Sequence, residues 1–233
     1  MMLVAGGMAV LAAILATTLA IGVDFGHVSR DMAVIHDLHP LAGMLSTLGV
    51  MLWCASAVAS LVAGLAIRGA PRRVRLFLFA SAALSAWLMV DDGFMVHEMI
   101  APVHLHIGEK WVIAGLGIAC ALWLRCFGRL IAATRFGMLV LAFVFLGVSL
   151  GADLFVLPVL RVSEATGFII EDGAKWMGIV CWFTYHLRTA VAILRGEIPM
   201  EASDDRPPRR PAQPLQGTDA QGAGQADSRA RVA

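Results

Sequence analysis

With 233 residues, of which 59% are hydrophobic and 15% charged, and a mean hydropathy of +0.77, the chain is too apolar for a soluble domain, which carries roughly 25% charged residues. A net charge of +1 leaves no broad basic surface to neutralise phosphates, so no nucleic-acid partner is expected. Cys54, Cys120, Cys126 and Cys181 lie in or at the ends of apolar runs without CxxC spacing, which points to apolar packing rather than a disulfide framework or a thiolate metal site.

Apolar runs long enough to cross a hydrocarbon core of about 30 Å are expected at 2–23, 41–67, 76–101, 111–127, 136–158 and 165–194. The first has no Lys or Arg ahead of its apolar core and no clear small-x-small site, so it reads as a span rather than a cleaved signal. Basic residues then alternate by loop. Arg68, Arg72, Arg73 and Arg75 fall between spans two and three, Arg125, Arg129 and Arg135 between four and five, and Arg188 and Arg195 at the end of six. The opposite loops hold Arg30, Lys110 and Arg161. Because Lys and Arg are retained inside, both termini are expected in the cytoplasm, with loops 24–40, 102–110 and 159–164 outward. In span five, Gly147 and Gly151 form a GxxxG pair, predicting close helix approach. The fold class is all-α, a polytopic membrane helix bundle of about six spans in the inner (plasma) membrane. Residues 1–196 make one transmembrane domain. Residues 197–233, rich in Pro, Gly, Gln, Asp and Arg, make a disordered cytoplasmic tail that cannot bury enough apolar area to offset its ordering entropy.

Polar residues break the apolar pattern at few places. Span three contains VDDGFMVHE, with Asp91, Asp92, His97 and Glu98; span six contains IIEDGAKWMG, with Glu171, Asp172 and Lys175; span five contains Asp153. An ionisable group at membrane depth costs a few kcal/mol even on lenient scales and is a functional candidate by default. At 1.5 Å rise per residue, Asp91 lies roughly 23 Å along an outward-running span, and Glu171 and Lys175 roughly 9 and 15 Å below the outer boundary of an inward-running one. The charges of three spans therefore share one depth. His27, His36, His39, His97, His104 and His106 fall on the same side, and His186 on the other. Helical spacing predicts Asp91 and Glu98 on one face, Asp92 turned elsewhere, and Glu171 next to Lys175. Gly93 and Gly173, each after an acidic pair, suit a kink or a close helix contact.

Several carboxylates against one lysine leave negative charge to be balanced by protons, a metal or a cationic substrate. A divalent metal (Zn, Fe or Mn) suits His nitrogen and carboxylate oxygen. Asp91, His97, Glu98 and Glu171 are then the metal ligands, with His36, His39, Asp153 and Asp172 as additional candidates. His36 and His39 are equally compatible with exposed loop positions. Lys175 neutralising one or two acids, with no ligand involved, also accounts for part of the pattern. No haem is expected, since His97 and His186 lie at opposite ends.

The run LMVDDGFMVHE, with HPLAGMLSTLGVMLWCASA before it and EDGAKWMGIVCWFTYHLRTA after it, resembles an uncharacterised group of bacterial multi-span membrane proteins across the whole membrane region. A looser resemblance is to the metal-dependent hydrolases related to alkaline ceramidase, and it would cast Ser46, Ser85, Asp91 and His97 in that family's parts. Where that family carries paired histidines on its last helix, span six has Glu171, Asp172 and Lys175. VDDGF and IEDGA also look alike, but an acidic pair and a glycine are all they share.

The leading expectation is a metal-dependent hydrolase of a lipid-like substrate, open to the outer leaflet. The metal would activate water, Asp92 would act as general base and Lys175 would stabilise negative charge. The alternatives are a small proton- or cation-coupled transporter and a noncatalytic membrane scaffold. The lipid bilayer is the expected partner in all three.

Overall fold

The computed structural model describes residues 2–29, 36–39, 41–152 and 164–198. It is all-helical, with no strand among the described residues. The elements are α1 (Met2–Ile21), α2 (Phe25–Ser29), α3 (Met44–Ala66), α4 (Arg72–Gly93), a π-helical segment (Val96–His104), α5 (Glu109–Ala132), α6 (Gly137–Gly151) and α7 (Glu164–Leu194). The expected tail lies outside the described residues from 199 onward, as do Arg30, Asp153 and Arg161.

Among the described residues, four helices are long and apolar enough to cross a membrane: α3, α4, α5 and the Ile169–Leu194 part of α7. Gly7–Ile21 of α1 and Gly137–Gly151 of α6 are apolar but shorter. The expected third span, 76–101, is not one helix. It stops at Gly93 and resumes as the π-helical segment after a left-handed residue, Met95 (φ 50°). The outer surfaces are apolar: Met51, Val58, Leu65, Ile118, Leu122, Val140 and Val144 are all exposed, as suits side chains meeting lipid tails rather than water. Nearly all the described side chains of α1 are exposed, Thr18 being buried.

α3 and α4 pack along each other as a hairpin. The turn between them follows from its residues. Ile67 leaves the helix in an extended conformation, Gly69 takes a left-handed φ of 75° that a side chain would resist, and Pro71 sits at the N-cap of α4, where its missing N–H costs nothing. α7 lies against both α3 and α6. Its close approach to α6 is made at Gly178, where a Cβ would come within 2.7 Å of the Leu146 side chain and 3.1 Å of its backbone nitrogen. The GxxxG pair expected to serve this purpose does not: a Cβ on Gly147 or Gly151 would meet open space. Packing is set one residue away, at Leu146.

The middle of the bundle is an aromatic layer. Trp182 of α7 contacts Trp53 edge-on at 5.7 Å, Phe143 at 5.8 Å and Trp123 at 6.0 Å, and Trp123 stacks on Phe77 at 5.7 Å. Each central indole donates to a buried serine one turn apart on α4: Trp123 Nε1 to Ser81 Oγ at 3.2 Å and Trp182 Nε1 to Ser85 Oγ at 3.0 Å. Buried indole N–H groups need such acceptors. His186, fully enclosed, packs its ring at 4.7 Å from Trp182.

Candidate functional site

Asp91 and Asp92 occupy the last turn of α4. This is the negative end of the helix dipole, where carboxylates are least welcome. Each acid is met by a separate partner. Phe94 and the left-handed Met95 turn the chain so that it returns over the helix end. His97 then donates its backbone N–H to Asp91 Oδ1 at 3.1 Å and its ring Nδ1–H to Asp91 Oδ2 at 2.7 Å. Asp92, about 100° further round the helix, faces α7 and pairs through Oδ1 with Lys175 Nζ at 2.5 Å.

The helix break overturns the periodic expectation. Asp91 and Glu98 do not share a helical face, because the helix ends between them. Asp91 is turned to His97, while Asp92, expected to point elsewhere, faces α7 through Lys175. The charges of spans three and six do meet, through Asp92 and Lys175. Glu98 follows His97 and places Oε1 3.4 Å from His97 Nε2. His97 lies beyond the end of α4, and the hydrogen bond to Asp91 raises its pKa above the ordinary imidazole value. Partial burial opposes this, while the negative charges of Asp91 and Glu98 add to it.

Beside this turn, at the end of the bundle where α3 begins and α4 stops, is a cleft of about 500 Å³. Leu41, Met44, Leu45, Met95, Trp176 and Ile179 give it apolar walls, and Asp92, Glu98, Asp172 and Lys175 contribute charge. The Asp92 side chain is 9% exposed and that of Lys175 34%. Asp92 Oδ2 is buried without a hydrogen-bond partner, next to Gly49 of α3, where an added Cβ would stand 3.8 Å from it. Ile179 in its wall and, one turn further along α7, Trp182 are both buried.

Of the expected metal set, Asp91, His97 and Glu98 are brought together, through His97. Among the described residues no group of three or more His, Cys, Asp and Glu side chains is arranged to hold an ion. Both oxygens of Asp91 are occupied by His97, and the Lys175 ammonium stands where a second cation would have to sit. Glu171 does not line the cleft, whereas Asp172 does. His36 and His39 are exposed, and His39 Nδ1 accepts the backbone N–H of Leu41 at 3.2 Å. Ser85, an expected catalytic counterpart by resemblance, is instead the acceptor for Trp182; Ser46 does line the cleft. The sequence reading missed Trp176 as a wall residue, although it stands four positions from Asp172 and so shares its helical face.

A family model described as a domain of unknown function (DUF8692) matches residues 3–189. The chain belongs to this family. Every residue of the DUF8692 cleft and of the Asp91–His97–Glu98 run falls within the matched stretch. No curated protein and no solved structure matches the chain.

Proposed function

We propose that this DUF8692 protein is a multi-pass membrane protein whose cleft binds the polar end of an amphiphilic, lipid-like molecule and hydrolyses it by acid–base chemistry. The observation that carries the reading is the position of Glu98. It is the residue that both lines the cleft and faces the Asp91-bound His97. A volume of about 500 Å³ with apolar walls and a few converging polar groups is the usual character of a small-molecule site. Trp87 and Trp111, both exposed and close in sequence to the cleft end, suit the headgroup level of a bilayer.

In this reading Glu98 takes a proton from water as the water oxygen adds to an acyl carbon. The departing oxygen or nitrogen receives that proton when its bond to the acyl carbon breaks. His97, held by Asp91, fixes the Glu98 carboxylate. Lys175, a third exposed to the cleft, offers an N–H to the developing oxyanion. The metal-dependent version is not carried forward, because both oxygens of Asp91 are engaged by His97 and Glu171 does not line the cleft. Transport is disfavoured by the packed aromatic layer around Trp182, about two turns along α7 from Lys175. The test is turnover of fluorogenic ester- and amide-linked lipids by the protein in nanodiscs. Glu98→Gln should lower kcat by about 100-fold or more while the variant stays folded. A wild-type protein that turns over none of these lipids overturns the hydrolase reading.

The topology that fits is six crossings of the inner membrane with both termini cytoplasmic and the cleft outward. Arg68, Arg72, Arg73 and Arg75 lie at the α3–α4 turn, at the opposite end of those helices from the cleft, as the retention of basic residues inside requires. A cysteine placed at Ser29 should react with an impermeant maleimide on intact cells, and one at Ala70 should not. Labelling at Ala70 alone would invert the orientation.

A further inference from the structure

The walls of the cleft are not equally anchored. Met44 and Leu45 belong to α3, and Asp172, Lys175 and Trp176 to α7, two long helices packed against each other. Met95 and Glu98 belong instead to the stretch around the short π-helical segment, which packs mainly on α4 and α5. From Phe94 to Ile107, Ala101 alone is buried. Few buried contacts mean a low cost of local opening, and π-helical turns occur mostly at functional sites. The stretch is nonetheless one unit, because its backbone bonds close on itself: Met99 and Ile100 donate to Met95 O at 2.8 and 3.2 Å, Leu105 to Ile100 O at 3.3 Å, and Ile107 to Ala101 O at 2.9 Å. At either end a non-glycine residue takes a left-handed φ, Met95 at 50° and His106 at 55°. Such conformations persist only where the surroundings hold them, so rotation out of them relieves strain and swings the unit between. Holding it down is His97, whose backbone N–H and ring Nδ1–H both reach Asp91, at 3.1 and 2.7 Å.

We propose that residues 94–107 are a hinged lid on the cleft, turning at Met95 and His106 and latched to the end of α4 by His97 on Asp91. With the latch closed, Glu98 faces the cleft. With the latch released, Met95 and Glu98 leave the wall, and the cleft opens sideways to the bilayer, the route by which a molecule with an apolar portion enters. Met95, Met99 and Val103, four residues apart and all exposed, give the lid an apolar outer face that stays at the lipid boundary as it moves. The inference rests on the proposed site and adds its gate. It also gives the Asp91–His97 pair a second task, since the bonds that close the lid are those that set Glu98 in place.

The test uses the full chain in phosphatidylcholine nanodiscs, with Cys54, Cys120, Cys126 and Cys181 replaced by alanine and two pairs of spin labels read by pulsed electron resonance. One pair joins Met99 on the lid to Leu48 on α3, and the other joins Val58 on α3 to Leu187 on α7, all four positions being exposed. With Asp91 in place, the Met99–Leu48 pair should give one principal distance, any second state holding less than about 10% of the molecules. Asp91→Ala removes both acceptors and should raise the share of the second state relative to the first about tenfold or more, the effect of losing one hydrogen bond to a charged group. The Val58–Leu187 distance should not change. Asp91→Asn keeps one acceptor oxygen and should fall between. An identical Met99–Leu48 distribution with and without Asp91 would overturn the lid. Broadening of both pairs would overturn it too, because Asp91 would then hold the bundle rather than a latch. Since the readout is a distance, a lid that moves in a protein without lipid turnover would uphold the gate and overturn the hydrolase alone, and turnover beside an immobile lid would do the reverse.

Discussion

In the aromatic middle of the bundle, polar atoms are neutral and locally matched: Trp123 and Trp182 donate to Ser81 and Ser85, and Tyr185 meets Thr134 at 3.2 Å. At the cleft end, barely two turns away along α7, the polar groups are charged, strained and incompletely matched. Asp91 and Asp92 sit at the wrong pole of a helix dipole, Met95 takes a left-handed backbone, and Asp92 Oδ2 has no donor. His186 Nε2 in the middle also lacks a partner, but a neutral ring packed among aromatics is far less costly to bury than a carboxylate. The difference separates two jobs. One region is arranged for stability, whereas the other holds strain and unbalanced charge, which persist where the surrounding structure over-determines them and which cluster at functional sites.

The largest effect should come from the middle. Trp182→Ala removes contacts to Trp53, Trp123 and Phe143 and leaves Ser85 without its donor. A loss of about 3–5 kcal/mol is expected, measured by unfolding in mixed micelles. If Trp182→Ala instead kept its stability and lost lipid turnover, the division of labour between the two regions would be wrong.

A smaller loss is expected at the Asp92–Lys175 pair. Lys175→Met leaves Asp92 buried beside α3 with no counter-charge. Breaking a fully buried pair costs about 3–5 kcal/mol, but Lys175 is a third exposed, so solvent screening should reduce this to about 2 kcal/mol. Asp92→Asn added to Lys175→Met should recover most of the loss, since no charge then remains. Failure of the second change to recover stability would show that the pair is not what couples α4 to α7.

Much of the architecture was legible in the sequence because hydrophobic runs and the few charges that interrupt them are strong signals. Four of the expected spans are present as long apolar helices, and the meeting of spans three and six through Lys175 follows from the cost of an unpaired ion in hydrocarbon. What failed was periodicity carried through a break. Gly93, read as suiting a kink, does stand where α4 stops, but nothing in VDDGFMVHE announces that Met95, a residue with no preference for it, takes a left-handed φ. With that turn, Asp91 finds His97 six positions on, and Glu98 swings into the cleft. The packing glycine was misassigned for a similar reason: GxxxG in span five is a pattern, but which glycine faces a neighbour depends on helix rotation, and Gly178 is the one against Leu146. The pairing of the buried serines was not read from the sequence. Ser81 and Ser85, and Ser56 and Ser60, are each four apart, a spacing that places them on one helical face, and all four are buried.

The smallest effect concerns His97, and its sign can be worked out. The folded protein raises the pKa of His97 above its ordinary value, chiefly through the hydrogen bond to Asp91. Folding therefore favours the protonated ring, and the stability this supplies is fully present below the unfolded pKa of about 6.5. It is lost as pH rises through the higher folded value. His97→Gln removes the titration, so the stability difference between wild type and variant should be greatest below the unfolded pKa of about 6.5 and should shrink as pH rises through the higher folded value. Asp91→Asn keeps the shape but removes the carboxylate, and should flatten the wild-type pH dependence while leaving His97 in place. Lipid turnover gives a second readout. If His97 and Asp91 only staple the helix break, both variants should lose stability without changing the pH profile of kcat. If His97 positions Glu98 for proton transfer, the kcat profile of His97→Gln should shift, because the charge 3.4 Å from Glu98 is gone. An unshifted profile would assign the Asp91–His97 pair to the fold alone and leave Glu98 as the single group in the cleft that carries the chemistry.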